Sequence, residues 1–141
     1  MDRKAEAKWT GDLKSGAGRV KLGSGAFEGP YSFISRFESG GGTNPEELLG
    51  AAHASCFSMA LSLALALAGH SPTSVDTTAT VHLEKVGPGF AITGIDLVTR
   101  GVVPGIDAAT FQRLANESKS NCIVSKALAA VPMRLDAQLI G

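Results

Sequence analysis

The sequence predicts an α+β fold in which antiparallel β-sheet packs on one long central helix. Three observations predict it: an apolar run of helical length with start and stop signals, alternating segments on both sides of that run, and two shorter helical patterns before a last alternating segment. The expected element order is βββ-α-ββ-αα-β. With 141 residues the chain is expected to form a single domain, 1–141, around one core.

In chain order, Trp9 and Leu13 punctuate a polar, turn-prone segment that begins at Ala5, and residues 19–22 alternate ahead of Gly23-Ser24-Gly25. Both read as short strands with a hairpin turn. Residues 31–37 are rich in aromatic and β-branched side chains. They predict a strand with Tyr31, Phe33, Ser35 and Phe37 on one face and Arg36 on the other. The next segment carries the strongest local signals. Asn44 suits a helix N-cap, Pro45 the first helical position, and Glu46 and Glu47 the positive helix end, with Glu47 in the capping-box position. Over 48–68 only Gly50, His53, Ser55, Ser58 and Ser62 interrupt the apolar run, and Gly69 followed by Ser71-Pro72 stops it. Such a run is long enough to span a bilayer. Its scattered polar atoms, its small side chains and the lack of a second span or a positive flank predict a helix through a protein core instead.

After Pro72, Val75, Thr77, Ala79, Val81 and Leu83 alternate with Asp76, Thr78, Thr80, His82 and Glu84. Gly87-Pro88-Gly89 turns this strand into a second one over 90–103, a long antiparallel hairpin. Asp107 then caps a helix with Ala108, Phe111, Leu114 and Ala115 at helical spacing, and Asn121-Cys122 opens a shorter one over 123–130. Pro132 breaks that helix, and Met133, Leu135, Ala137 and Leu139 alternate as the last strand.

Composition narrows the function. Thirteen Lys and Arg balance thirteen Asp and Glu, and no basic run exceeds Arg3-Lys4, which argues against a nucleic-acid or anionic-membrane partner. Charged residues are 18% against about 25% in an average domain, and mean hydropathy is +0.14. So little charge predicts apolar surface hidden against another chain, an oligomer. The first six residues hold no apolar signal-peptide segment, which predicts a cytoplasmic protein. In that reducing compartment Cys56 and Cys122 are not expected to form a permanent disulfide, and with three histidines in the chain a zinc site is improbable. Two readings stay open: buried inert thiols, or a transient catalytic pair.

Cys56 lies in mid-helix, where apolar burial raises a thiol pKa and makes it inert. Reactivity there demands a cation. Arg36 is the best candidate, and its plain alternative is a solvated strand residue paired with Glu38. Glu46 or Glu47 could hold the guanidinium fork in a bidentate pair, whereas helix capping alone is the simpler role of Glu47. Cys122 opens a helical stretch whose free N–H groups would favour a thiolate and a good leaving or resolving group; the alternative is again a buried thiol. His53, three residues before Cys56, reads as a packing or hydrogen-bonding residue, with a base as the sharper alternative. His70 and His82 read as a helix end and a solvent-facing strand position.

The stretch Thr43-Asn44-Pro45-Glu46-Glu47-Leu48-Leu49-Gly50-Ala51-Ala52-His53-Ala54-Ser55-Cys56-Phe57, preceded by Arg36-Phe37-Glu38, resembles the signature of the osmotically inducible protein C (OsmC) family, a relative of the organic hydroperoxide resistance (Ohr) proteins. Trp9-Thr10-Gly11-Asp12, Pro72-Thr73-Ser74-Val75, Phe90-Ala91-Ile92-Thr93 and Val103-Pro104-Gly105-Ile106-Asp107 extend the likeness nearly end to end. The resemblance implies an OsmC-like fold with antiparallel sheet wrapped around long central helices, in an intertwined homodimer with two interfacial active sites. It implies a thiol peroxidase acting on organic hydroperoxides and, less efficiently, hydrogen peroxide. By position Cys56 matches the peroxidatic cysteine, Cys122 the resolving one, and Arg36 and Glu46 the charged pair that activates the sulfur. No bound cofactor is implied, only an external dithiol reductant such as a lipoylated protein. Phe57 and Met59 are expected to line the substrate approach. Where the family commonly has Cys-Pro, this chain has Cys122-Ile123 and lacks proline's preference for the first helical position. Two other classes fit parts of the pattern: a hot-dog-type thioesterase, which would use Glu46 or Glu47 to activate water, and a non-catalytic small-ligand-binding stress protein.

Overall fold

In the computed structural model, which describes residues 1–141, the chain divides into two compact units, Met1–Leu48 and Leu49–Gly141. The first opens on a three-stranded antiparallel sheet of β1 (Ala5–Thr10), β2 (Ala17–Leu22) and β3 (Glu28–Tyr31), in the order β1-β2-β3. The Trp9 and Tyr31 rings pack 5.5 Å apart across it. They close over Gly18, where a Cβ would stand 2.5 Å from the Tyr31 ring and 2.7 Å from Trp9, so only glycine fits beneath the pair.

The strand expected over 31–37 is replaced by a one-turn helix, α1 (Phe33–Phe37). A local cap overrides the β-like composition. The Ser32 hydroxyl accepts from Ser35 N at 3.1 Å while the Ser35 hydroxyl accepts from Ser32 N at 2.8 Å, a reciprocal box that satisfies two otherwise free donors. Helical spacing then brings the Phe33 and Phe37 rings within 5.0 Å. Arg36 therefore sits in the last turn of α1, where its charge suits the negative helix end, and not on a strand face.

The helix α2 (Pro45–Leu67) starts and stops as its punctuation predicts. Glu47 N donates to Asn44 Oδ1 at 2.8 Å. The other half of the expected capping box is absent, because the Glu47 carboxylate accepts from Thr43 Oγ1 at 2.7 Å instead. At the far end Gly69 has φ 89°, and paired bonds from Gly69 N to Ala66 O and from His70 N to Leu65 O close the helix in a Schellman arrangement.

The second unit holds β4 (Ser74–Val86), β5 (Gly89–Val102), α3 (Ala108–Asn121), α4 (Ile123–Ala127) and β6 (Met133–Leu139). The β4-β5 hairpin is antiparallel and runs to Val86 and Gly89 at its tip, with a register shift at His82/Leu83. The last strand departs from the all-antiparallel expectation: β6 pairs parallel to β5. The cause is the connection. The helices α3 and α4 carry the chain back before it re-enters the sheet, and a crossover of that kind joins parallel neighbours, whereas an antiparallel pair needs only a tight turn.

The core of this unit gathers on one stripe of α2. Residues His53, Phe57, Leu61 and Leu65 recur every four positions and are all 0% exposed. Ile95 and Leu97 of β5 and Phe111, Leu114 and Ala115 of α3 join the three apolar members of that stripe in one cluster. Gly50, a turn above His53, is buried where α2 passes β4, and a Cβ there would lie at ordinary contact distance, 3.4 Å from Ala79 O and 3.5 Å from Val81 Cγ2. The other side of α2 is bare. Met59, Leu63 and Leu67 form a second four-residue stripe with 75, 61 and 79% exposure. By length and hydropathy α2 also meets the requirement for a membrane span, although 28% of its most apolar window is buried in protein.

Candidate active site

Two of the four sequence-predicted residues meet in the first unit. The helix α1 presents Arg36 and the first turn of α2 presents Glu46, ten residues on. Arg36 Nη2 donates to Glu46 Oε1 at 2.8 Å, while Nε lies 3.2 and 3.3 Å from the two carboxylate oxygens. The Glu46 side chain is only 8% exposed and that of Arg36 is 40% exposed. The carboxylate is thus withdrawn from water and matched by a two-nitrogen fork, a charge-assisted geometry that fixes the guanidinium plane. Phe37 supports it from one side, with the Arg36 Cζ 5.3 Å from the ring centroid. Of the two candidate carboxylates, Glu46 holds the arginine and Glu47 serves the helix end.

The other two meet in the second unit. Cys56 projects from mid-α2 beside the core stripe, and Cys122 occupies the junction between α3 and α4. Both are free thiols, Cys56 half-buried and Cys122 1% exposed. The fold brings them near enough to shift each other's proton affinity across sixty-six positions of sequence. Their proton affinities part in opposite directions. Burial, and then donation of its S–H toward Cys122, push the Cys56 thiol above the ordinary range, against a smaller pull from the backbone N–H groups of Val124 and Ile123. For Cys122 burial acts upward too, but the Cys56 S–H, the N–H and hydroxyl of Ser125 and the N–H of Val124 together outweigh it and hold the thiol below the ordinary range. The Cys122 side chain closes no cap hydrogen bond on α4, so these groups act as a field of donors around the sulfur.

His53 is buried and hydrogen-bonded, as the plainer of its two expected roles requires. His53 Nε2 stands 2.7 Å from Ser125 Oγ, both side chains buried. The other ring nitrogen, Nδ1, is buried without a partner. Burial lowers the His53 pKa, which keeps the ring neutral. Ser125 was not singled out from the sequence; its only signal is a place three residues after Cys122. Phe57, expected to line a substrate approach, is fully buried in the core, while Met59 is 75% exposed. His82 also differs from a plain solvent-facing position. Its Nε2 lies 2.7 Å from Asp96 Oδ2, and Arg134 donates from Nε and Nη2 to the same carboxylate at 2.7 and 3.0 Å. No cluster of three or more His, Cys, Asp or Glu side chains that could hold a metal ion is present.

A model of the family described as OsmC-like protein matches residues 38–136, which include Glu46, both cysteines, His53 and Ser125. The chain belongs to the OsmC-like protein family. This OsmC-like chain is 55% identical over 140 residues to "Peroxiredoxin OsmC" of Escherichia coli, covering 99% of its own length and 97% of that relative. It is 35% identical over 89 residues to an organic hydroperoxide resistance protein of Xanthomonas axonopodis, covering 62% of its own length and 61% of the relative. Among solved structures, OhrB of Bacillus subtilis matches with a TM-score of 0.73 at 24% identity, covering 97% of this chain and 98% of that one. An OsmC-like protein of Mycoplasma pneumoniae matches with a TM-score of 0.74 at 13% identity over 100% of both chains. The two structural likenesses speak to the α+β fold. The sequence relatives mark the OsmC-like chain as a peroxiredoxin-like enzyme.

Proposed function

We propose that this chain is a thiol peroxidase that reduces organic hydroperoxides, and hydrogen peroxide less efficiently, through a Cys56 sulfenic acid and a Cys56–Cys122 disulfide. The observation that carries the reading is the pairing of a half-buried thiol with a fully buried one across sixty-six residues of sequence. Packing alone has no need of two neighbouring thiols drawn from distant parts of the chain, whereas disulfide chemistry requires them side by side.

In the first step the Cys56 thiolate attacks the terminal oxygen of ROOH. The S–O bond forms as the O–O bond breaks, and the departing alkoxide takes a proton to leave as alcohol. Cys56 has a raised pKa within its own unit, so the step needs a cation, and the reading assigns that role to Arg36 with Glu46 fixing its plane. Cys122 thiolate then attacks the sulfenic sulfur, and the hydroxide that leaves is protonated to water. The disulfide is reduced by an external dithiol, with a lipoylated protein as one source of that chemistry. No resident cofactor takes part.

A homodimer is part of the proposal. The bare stripe of Met59, Leu63 and Leu67 is a contiguous apolar face on a helix that is otherwise core, and such faces mark interfaces. A cytoplasmic setting agrees with two free thiols that must be recycled.

The test is consumption of an organic hydroperoxide, cumene hydroperoxide, with dithiothreitol as reductant. Loss of turnover in Cys56→Ser, together with a trappable sulfenic acid in Cys122→Ser, is the expected result. Full activity in Cys56→Ser would sink the peroxidase reading, and thioester hydrolysis surviving both substitutions would favour the hot-dog-type hydrolase.

A further inference from the structure

Resting on the proposed Cys56–Cys122 disulfide, we infer that Ser125 and His53 form a buried donor chain that makes Cys122 the leaving thiolate, so that the recycling dithiol attacks Cys56.

Each proton in the chain has one place to go. Ser125 stands three residues after Cys122, in the first turn of the helix that Cys122 opens, so its hydroxyl lies beside that sulfur with a single hydrogen to give. Spending it there leaves Ser125 Oγ as the acceptor in its 2.7 Å contact with His53, so His53 Nε2 carries the ring proton. That tautomer leaves Nδ1 as a bare lone pair, and Nδ1 is the one buried side-chain polar atom without a partner. An orphaned lone pair is the cheaper orphan: the opposite tautomer would bury an unpaired N–H and strip the serine of its donor. His53 thus acts through Ser125 as a positioning residue, and the pair span 72 residues of sequence to meet.

Thiol–disulfide exchange is governed by which sulfur is reached and which thiolate leaves. Cys122 is 1% exposed and Cys56 is half-buried, so an external thiolate reaches Cys56. In the balanced step RS⁻ bonds to the Cys56 sulfur as the S–S bond breaks, and Cys122 departs as thiolate into the donors of Ser125. The second thiol of the reductant then attacks its own sulfur in the mixed disulfide and releases Cys56 thiolate. Stabilising the Cys122 thiolate stabilises the reduced protein, which makes the disulfide more oxidising and faster to reduce.

The experiment forms the disulfide with diamide, without peroxide, and equilibrates it in buffers of reduced and oxidised dithiothreitol. Ser125→Ala is expected to lower the equilibrium constant for reduction about tenfold, a potential about 30 mV more negative, and to slow reduction by dithiothreitol. His53→Gln, which keeps an N–H near the Nε2 position, is expected to move both less. Ser125→Thr, which keeps the hydroxyl, is expected to restore both, and far-ultraviolet circular dichroism verifies that each variant is folded. An equilibrium constant and rate unchanged in Ser125→Ala, or a shift that Ser125→Thr fails to reverse, would overturn the donor chain alone. A wild-type chain in which diamide forms no Cys56–Cys122 disulfide would overturn it together with the disulfide reading. Peroxidase activity enters neither measurement, so failure of the hydroperoxide assay is distinguishable from failure here.

Discussion

The guanidinium of Arg36 grips the carboxylate of Glu46 through Nη2 at 2.8 Å and Nε at 3.2 Å, with the carboxylate nearly buried and the guanidinium partly open to water. The asymmetry decides what each substitution does. Arg36→Ala leaves a buried carboxylate without its cation, which is expected to cost stability of the order of a charged hydrogen bond, about 1.5–3 kcal/mol. Loss of a positioned donor at a reacting oxygen is expected to lower kcat/KM for an organic hydroperoxide by about 10²–10³-fold. Glu46→Gln keeps one acceptor and is expected to lie between wild type and Arg36→Ala in both chemical denaturation and steady-state rate. An Arg36→Ala variant with wild-type kcat/KM would remove Arg36 from the mechanism.

The opposed thiols predict a two-step titration. In the reduced protein the ultraviolet absorbance of thiolate is expected to rise below and again above the ordinary cysteine value of about 8.5. For Cys122 the folded pKa is depressed, so its contribution to stability is present above the ordinary thiol pKa and is lost as pH falls through the folded value. For Cys56 the folded pKa is raised, so its contribution is present below the ordinary thiol pKa and is lost as pH rises through the folded value. Cys56→Ala removes a donor from Cys122 and is expected to move the lower step upward. A lower step left in place would mean that Cys56 does not donate to Cys122.

The Met59–Leu63–Leu67 stripe predicts a specific oligomer defect. Leu63→Glu puts a charge at the centre of the bare face, at 61% exposure, where an isolated chain would tolerate it. Sedimentation velocity is expected to show wild type as a dimer and Leu63→Glu as a monomer with unchanged helicity. A variant that still sediments with the wild-type dimer would place the interface elsewhere.

Asp96 predicts acid sensitivity. Hydrogen bonds from Arg134 first and His82 second hold its carboxyl below the usual range. A depressed folded pKa gives stability that is present above the unfolded value, about 4, and is lost as pH falls through the folded one. Asp96→Asn is therefore expected to lower the thermal midpoint at neutral pH, with the gap from wild type closing as the buffer is taken toward pH 3. A gap independent of pH would show that the carboxylate charge does not matter.

Gly50 predicts a gain. An added Cβ would meet Ala79 O and Val81 Cγ2 at ordinary contact distances, and alanine in a helix interior is favoured over glycine by about 0.5–1 kcal/mol. Gly50→Ala is expected to raise the unfolding free energy by that much, read as a higher urea midpoint at unchanged m. Phe57, about two turns on, behaves oppositely: Phe57→Ala empties a fully buried site and is expected to cost about 3–5 kcal/mol.

What the sequence by itself determined lies in short-range signals. Asn44-Pro45 and Gly69 punctuate α2, Gly87-Pro88-Gly89 turns the β4-β5 hairpin, and Asp107 caps α3, because caps and turns are made by neighbours within a few residues. The family signature rests on the same local spacing. Tertiary structure decided the rest. It anchored 33–37 as α1 through the Ser35 hydroxyl, which donates to Thr43 O at 2.7 Å and backs the local Ser32–Ser35 box against β propensity. It set β6 parallel to β5 through the return of α3 and α4. It chose Glu46 over Glu47 for Arg36, and it joined His53 to Ser125 and Cys56 to Cys122. The resemblance already matches Arg36 with Glu46 and Cys56 with Cys122, but no local spacing announces that His53 meets Ser125. Each pairing depends on where separate elements come to rest, and so does the direction in which each thiol pKa moves, because burial and donor contacts exist only once the chain has folded.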